Sequence, residues 1–167
     1  MATLWRVGMM GAGKSTVGLL VAEHLGRPFV DLDEVVAAAA GASIPDVFRV
    51  EGEAGFRRRE AAALAGIAGS EAVVACGGGT VVDPGNVALL RRTGIVAWLA
   101  APVAVLAERV GDGMERPLAG AGEAALQALA SSREAAYARA AHCRIETGGR
   151  SPEEVAEEVM RRWSESR

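Results

Sequence analysis

Short apolar runs alternate along the chain with longer segments of helical character. The apolar runs predict five strands, at residues 4–8, 28–32, 72–75, 95–99 and 143–146. The longer segments predict seven helices, at residues 14–25, 33–40, 44–66, 84–92, 102–110, 123–141 and 151–164. Proline opens several of these helices and glycine closes others, as helix ends favour. Alternating strands and helices predict an α/β fold with one parallel sheet and helices on both of its faces.

In such a sheet, ligands bind beyond the carboxyl ends of the strands. The first strand is followed by GMMGAGKST, which fits the phosphate-binding P-loop G-x-x-x-x-G-K-[ST] in its strand–loop–helix context. Of the 18 lysines and arginines, only Lys14 is a lysine, and it stands where an ammonium group would reach the β- and γ-phosphates. A glycine-rich turn that merely precedes a helix is the less favoured alternative. The predicted nucleotide-binding residues are Gly11, Ala12, Gly13, Lys14, Ser15 and Thr16, with Ser15 also a ligand of Mg²⁺.

Composition narrows the class of protein further. The 167 residues fit one domain, residues 1–167, and are 50% hydrophobic and 23% charged, as in ordinary globular proteins. A net charge of −3 argues against nucleic acid as the main partner. Cys76 and Cys143 form neither a disulfide framework nor a zinc motif. Arg6 interrupts the short apolar run at the N-terminus and no apolar stretch reaches spanning length, so we expect a cytoplasmic protein without membrane contact.

Two carboxylates follow the second predicted strand. Asp31 and Asp33 lie two residues apart, so in an extended segment both point to the same face. Asp31 is a candidate for holding Mg²⁺ through water, and Asp33 is a candidate acceptor for a substrate hydroxyl. The alternative is that one of them caps the next helix.

Other polar segments are ambiguous when each is taken alone. Gly77–Gly79 indicates either a backbone that a ligand approaches closely or a simple tight turn. The charge run at 51–60 is typical of a solvated helix face with pairs such as Arg57–Glu60. The glycine-rich stretch 111–122 around Arg116 has the composition of a mobile lid, and Arg133 and Tyr137 follow it at i,i+4 spacing.

Taken in order, these segments resemble the shikimate kinase family over residues 4–160: GMMGAGKSTVG, DLD, GASIPDVFRVEGEAGFRRRE, CGGGTV, RPLAG and REAAYARAA. The resemblance implies a P-loop, nucleoside-monophosphate-kinase-like fold of three layers, whose five-stranded parallel sheet has the order 2-3-1-4-5. It implies transfer of the γ-phosphoryl group of ATP to the 3-hydroxyl of shikimate, with Mg²⁺, in aromatic amino acid biosynthesis. Gluconate kinase or another small-metabolite P-loop kinase remains the alternative. We expect a monomer.

The resemblance also implies roles for individual residues. The catalytic residues are Lys14, Asp33 and Arg116, and the metal is held by Ser15 and Asp31. Arg109 and Arg150 flank the adenine, and Arg116 closes over the phosphates from a lid at 111–122. The shikimate-binding residues are Asp33, Arg57, Gly77, Gly78, Gly79 and Arg133. The substrate-binding helical region is at about 33–66. In one departure from the family pattern, Ala135 and Ala136 replace a Pro-Leu pair before Tyr137.

Overall fold

The computed structural model describes residues 2–111 and 122–166, in which five parallel strands form a single sheet. The strand order is β2-β3-β1-β4-β5, as predicted. The strands are β1 (Thr3–Val7), β2 (Phe29–Asp31), β3 (Val73–Ala75), β4 (Gly94–Ala100) and β5 (Cys143–Glu146). The helices are α1 (Lys14–Leu25), α2 (Leu32–Ala40), α3 (Ile44–Ile67), α4 (Pro84–Thr93), α5 (Val103–Val110), α6 (Gly122–Ala140) and α7 (Pro152–Glu165).

Helices cover the central strands of the sheet. Helix α1 packs against α7 and against β2 and β3, whereas α4 and α6 pack against each other and against β4. Every residue of β1 and β3 is buried, as expected for parallel strands covered on both faces. Among the described helices, none is both long and apolar enough to span a membrane. The predicted α/β architecture is confirmed.

Helix α3 is kinked, which the sequence analysis did not predict. Gly52 interrupts the helix with φ 70° and ψ −178°, a left-handed φ that favours glycine. Across the kink, Arg59 donates to both carboxylate oxygens of Glu51 at 2.7–3.0 Å. A Cβ at Gly55 would lie 2.3 Å from Cβ of Glu51, so this close turn also requires glycine there. The predicted continuous helix is therefore two helical segments joined at Gly52.

A short 3₁₀ helix, Thr80–Val82, follows the triple glycine and leads into α4. The sequence pattern did not predict this short helix. It turns the chain back from the carboxyl edge of β3, and its Thr80 side chain is completely buried. The strand end, the glycines and this turn together place a tightly bent backbone beside the P-loop.

Candidate active site

A cavity of about 330 Å³ opens at the carboxyl edge of the sheet, between the P-loop and the ends of β2 and β3. It gathers most of the residues that the sequence assigned to nucleotide and metal, while Ala12 is buried in the core. Its lining is Gly11, Gly13, Lys14, Ser15, Thr16, Asp31, Asp33, Ala75, Cys76, Gly77, Gly78 and Arg109. The predicted phosphate and hydroxyl-binding groups therefore share one cavity.

The P-loop wraps around the ammonium group of Lys14. Nζ of Lys14 donates to the carbonyl oxygens of Gly8 at 2.9 Å and Met9 at 2.8 Å. Gly11 and Gly13 have φ of 79° and 91°, and this left-handed backbone curves the loop into the first turn of α1. The N-terminal end of α1 and a buried cation thus face the same space, which suits an anionic phosphate chain.

Ser15 and Asp31 lie side by side next to this loop. The hydroxyl of Ser15 donates to Oδ2 of Asp31 at 2.8 Å. Oδ1 of Asp31 accepts from the backbone N–H of Asp33 at 3.0 Å, so Asp31 also caps α2. Asp31 is thus both a helix cap and a neighbour of the P-loop hydroxyl. A hydroxyl and a carboxylate are hard oxygen donors, and they fit a Mg²⁺ ion shared with phosphates.

The triple glycine brings three charged side chains together. A Cβ at Gly79 would lie 2.1 Å from Nη2 of Arg57. A Cβ at Gly78 would lie 3.3 Å from Nη1 of Arg133, and one at Gly77 would lie 3.1 Å from Oδ1 of Asp33. The glycines are thus sites of close approach by side chains from α2, α3 and α6. The predicted substrate-binding residues are assembled around one turn of backbone.

Glu60 supports this group and was missed by the sequence analysis. Its side chain is fully buried and accepts from Nη1 of Arg57 at 2.9 Å and from the hydroxyl of Thr80 at 2.7 Å. Taken alone, the charge run suggested a solvated Arg57–Glu60 pair. The pair exists, but its carboxylate is buried and also accepts from the hydroxyl of Thr80. A buried carboxylate that accepts two hydrogen bonds fixes the position of Arg57.

Tyr137 connects α6 to the same turn. Its hydroxyl donates to the carbonyl oxygen of Gly78, and its ring stacks on Trp98 with a centroid separation of 5.5 Å. Arg133, one helical turn earlier, is buried. Ala136 is also buried, so the alanine that replaces the family leucine packs into the core beside Tyr137. The i,i+4 spacing is visible in the sequence, whereas this hydrogen bond is not.

Burial favours the neutral form of two ionisable groups beside the site. It raises the pKa of Tyr137 to about 12, against the opposing effect of the Arg133 charge. It also raises the pKa of the Cys76 thiol far above its ordinary value, reinforced by the negative charge of Glu60. Tyr137 therefore remains a hydrogen-bond donor at neutral pH, and Cys76 is not a thiolate nucleophile.

The three outer arginines of the prediction have different surroundings. Arg109 lines the cavity, where its Nη1 donates to the carbonyl oxygen of Gly11 at 3.2 Å and to the hydroxyl of Thr147 at 3.0 Å. Arg150 is not among the residues lining this cavity, and it donates to Glu158 at 2.6 Å. Their contacts with adenine stay a prediction. Arg116 and residues 112–121 of the predicted lid lie outside the described residues.

Comparison with known proteins decides the family. The family model "Shikimate kinase" matches residues 10–164. The chain belongs to the shikimate kinase family. The kinase is 49% identical over 164 residues to the shikimate kinase of Symbiobacterium thermophilum, covering 95% of this chain and 94% of that relative. It is 43% identical over 160 residues to the shikimate kinase of Halorhodospira halophila, covering 94% and 90%.

A solved structure gives the same answer for the fold. The shikimate kinase from Acinetobacter baumannii in complex with shikimate superposes with a TM-score of 0.96 at 35% identity, covering 100% of this kinase and 95% of that chain. The predicted family, sheet order and ATP-dependent kinase activity are confirmed. Shikimate kinase is favoured over the gluconate alternative, because the shikimate kinase family model matches residues 10–164 and the two relatives above, at 43–49% identity, are shikimate kinases.

Proposed function

We propose that the described cavity transfers the γ-phosphoryl group of MgATP to the 3-hydroxyl of shikimate, with the residue roles set out below. One observation carries the proposal. The P-loop lysine and the turn that gathers Asp33, Arg57 and Arg133 border a single space at the sheet edge. A phosphoryl donor and a small anionic acceptor bound there would meet.

Shikimate is a small, rigid carboxylate that carries several hydroxyl groups. The planar guanidinium groups of Arg57 and Arg133 suit its carboxylate, since one guanidinium group can donate two parallel hydrogen bonds to a carboxylate. Glu60 holds Arg57 in place for this task through the bond at 2.9 Å. The triple glycine lets these side chains approach its backbone closely, and Gly77 and Gly78 line the cavity. We assign Gly77, Gly78 and Gly79 to the acceptor site.

The nucleotide phosphates would bind to the P-loop backbone, Lys14 and Thr16. Ser15 and Asp31 would hold Mg²⁺, which supplies positive charge to the phosphate oxygens when it is bound. Arg109 contacts the P-loop at Gly11 and adds a second positive charge near Lys14. We assign Arg109 and Arg150 to the adenine side, and Arg116 to a lid at 111–122 that closes over the phosphates.

In the chemical step, the 3-hydroxyl oxygen forms a bond to the γ-phosphorus while the bond from that phosphorus to the bridging oxygen of ADP breaks. Asp33 orients the hydroxyl and accepts its proton. Lys14 and Arg116 stabilise the negative charge that spreads over the transferring oxygens. Positioning and charge stabilisation account for most of the catalysis, because phosphoryl transfer asks little covalent work of the protein. We place the reaction in the cytoplasm, in aromatic amino acid biosynthesis, and expect a monomeric enzyme.

A coupled assay of ADP release tests this function, with shikimate and gluconate supplied in parallel, each with and without Mg²⁺. We expect ADP release only when shikimate, ATP and Mg²⁺ are all present. Release with gluconate at the rate seen with shikimate would contradict the assignment of the acceptor. Undiminished release in the presence of excess EDTA would contradict the metal role of Ser15 and Asp31.

A further inference from the structure

A charged side chain lies completely buried under the nucleotide site. Arg6 of β1 has no exposed surface, and its Nε donates to the carbonyl oxygen of Lys14 at 3.1 Å. Its guanidinium carbon lies 5.6 Å from the centroid of the Phe29 ring. Within the described residues, its Nη1 and Nη2 atoms have no hydrogen-bond partner. Such a group is costly to bury, so its place in the strand needs an explanation.

The surrounding elements leave space for the guanidinium. A Cβ at Gly18 of α1 would lie 2.2 Å from Nη2 of Arg6, so α1 presents bare backbone at this point. Burial lowers the pKa of Arg6 to about 9, while the negative charge of Asp31 acts in the opposite direction. An apolar side chain of similar length would fill the same space without the cost of burying a charge. The charge is therefore not explained by packing alone.

The sheet register relates Arg6 to the metal-binding carboxylate. Asp31 of β2 pairs with Ala75 of β3, and Ala75 pairs with Arg6 of β1. Registered residues of neighbouring strands point to the same face, and two strand spacings amount to roughly 10 Å. The residue in register between them, Ala75, has a small side chain. The positive charge of Arg6 and the carboxylate of Asp31 thus attract each other across the base of the cavity.

We propose that Arg6 is a positioning residue of the nucleotide site, which fixes the first turn of α1 through the Lys14 carbonyl and orients Asp31 by charge attraction. The inference rests on the proposed binding of MgATP by Lys14, Ser15 and Asp31. Arg6 does not contact the substrates. It acts through the backbone of Lys14 and the carboxylate that accepts from Ser15.

The proposal predicts that loss of the Arg6 side chain weakens nucleotide binding but weakens neither shikimate binding nor stability. Loss of the guanidinium should weaken MgADP and MgATP binding by roughly 10- to 100-fold, the usual effect of removing groups that orient ligands of a metal. The KM for shikimate should stay near its wild-type value, because Arg57 and Arg133 are held by other elements. The urea midpoint should be unchanged or higher, because an apolar group replaces a buried charge.

Arg6→Met is the direct test, with the dissociation constant of MgADP from calorimetry, the KM values and the urea midpoint as readouts. Arg27→Met is the matched control. Arg27 also lies over an aromatic ring, 5.0 Å from the Trp163 centroid, and donates to a backbone carbonyl, that of Ala2 at 3.1 Å. Arg27 follows the C-terminal end of α1, whereas the P-loop leads into its N-terminal end, so MgADP binding should be unaffected by Arg27→Met.

The outcomes are distinct. Weakened MgADP binding in folded Arg6→Met, with Arg27→Met unchanged, supports the proposal, and MgADP binding within twofold of wild type in Arg6→Met overturns it. If Arg6→Met does not fold, Arg6→Lys decides, because lysine has a carbon atom in place of the Nε that donates to the Lys14 carbonyl. MgADP binding several-fold weaker then supports the proposal, and unchanged binding overturns it. Failure of the proposed function shows separately, as a wild-type enzyme without MgADP binding or shikimate-dependent ADP release.

Discussion

Replacement of Gly79 by alanine should weaken shikimate binding without changing the nucleotide site. Gly79 has φ −101° and ψ 2°, a backbone that alanine can adopt. The obstacle is Arg57, whose Nη2 would lie 2.1 Å from the new Cβ. Ordinary contact begins at 3.4 Å, so the guanidinium must retreat by about 1.3 Å. We expect this movement to weaken the contact of Arg57 with Glu60 and the proposed contact with the substrate carboxylate.

The size of the effect follows from the bond that is lost. A hydrogen bond to a charged group contributes about 1.5–3 kcal/mol. With about 1.4 kcal/mol for each factor of ten, the KM for shikimate should rise about 10- to 150-fold. The KM for ATP should change little, since the P-loop is not involved. Steady-state kinetics with each substrate varied in turn measure both values.

Two further variants make the test strict. Gly66→Ala is the matched control, because a Cβ at this helical glycine meets nothing within 4 Å. It should leave the kinetics unchanged. In an Arg57→Ala background, Gly79→Ala should add no further loss, because the side chain that it displaces is gone. A KM for shikimate within twofold of wild type in Gly79→Ala would refute the reasoning.

Two other substitutions test the acceptor side. Asp33→Asn should lower kcat by about 10²- to 10⁴-fold while ATP binding stays near wild type, because the amide cannot accept the hydroxyl proton; stopped-time product assays and ADP binding measure this, and a kcat within a few fold would leave Asp33 without a catalytic role. Tyr137→Phe should raise the KM for shikimate several-fold, as the Gly78 carbonyl loses its donor. Its KM for ATP should not change, and equal rises in both KM values would show a general loss of structure instead.

The fold could be predicted because its signals are local and repeated. Apolar runs, helix-opening prolines and the P-loop spacing lie within short windows of sequence, and the strand bounds agree to within two residues. The kink at Gly52 could not be predicted in this way. It accompanies the Glu51–Arg59 contact, which joins residues eight apart rather than the three or four of a regular helix.

The site was predictable only in part, for the same reason. The P-loop residues have a fixed spacing, and the family resemblance indicated Asp33, Arg57 and Arg133. Buried Glu60 accepts from Thr80, twenty residues further along the chain, and Arg6 lies close to the backbone of α1 at Gly18. Such contacts are decided by tertiary packing, which no short window of sequence contains.

The most direct test of the account compares shikimate with its methyl ester as acceptors for the wild-type enzyme. The ester keeps the ring and every hydroxyl but removes the negative charge that Arg57 and Arg133 are proposed to bind. We predict that kcat/KM for the ester is lower by about 10²-fold or more, mainly through KM, since two charge-assisted contacts are lost. An ester that is phosphorylated with the same kcat/KM as shikimate would contradict the central claim.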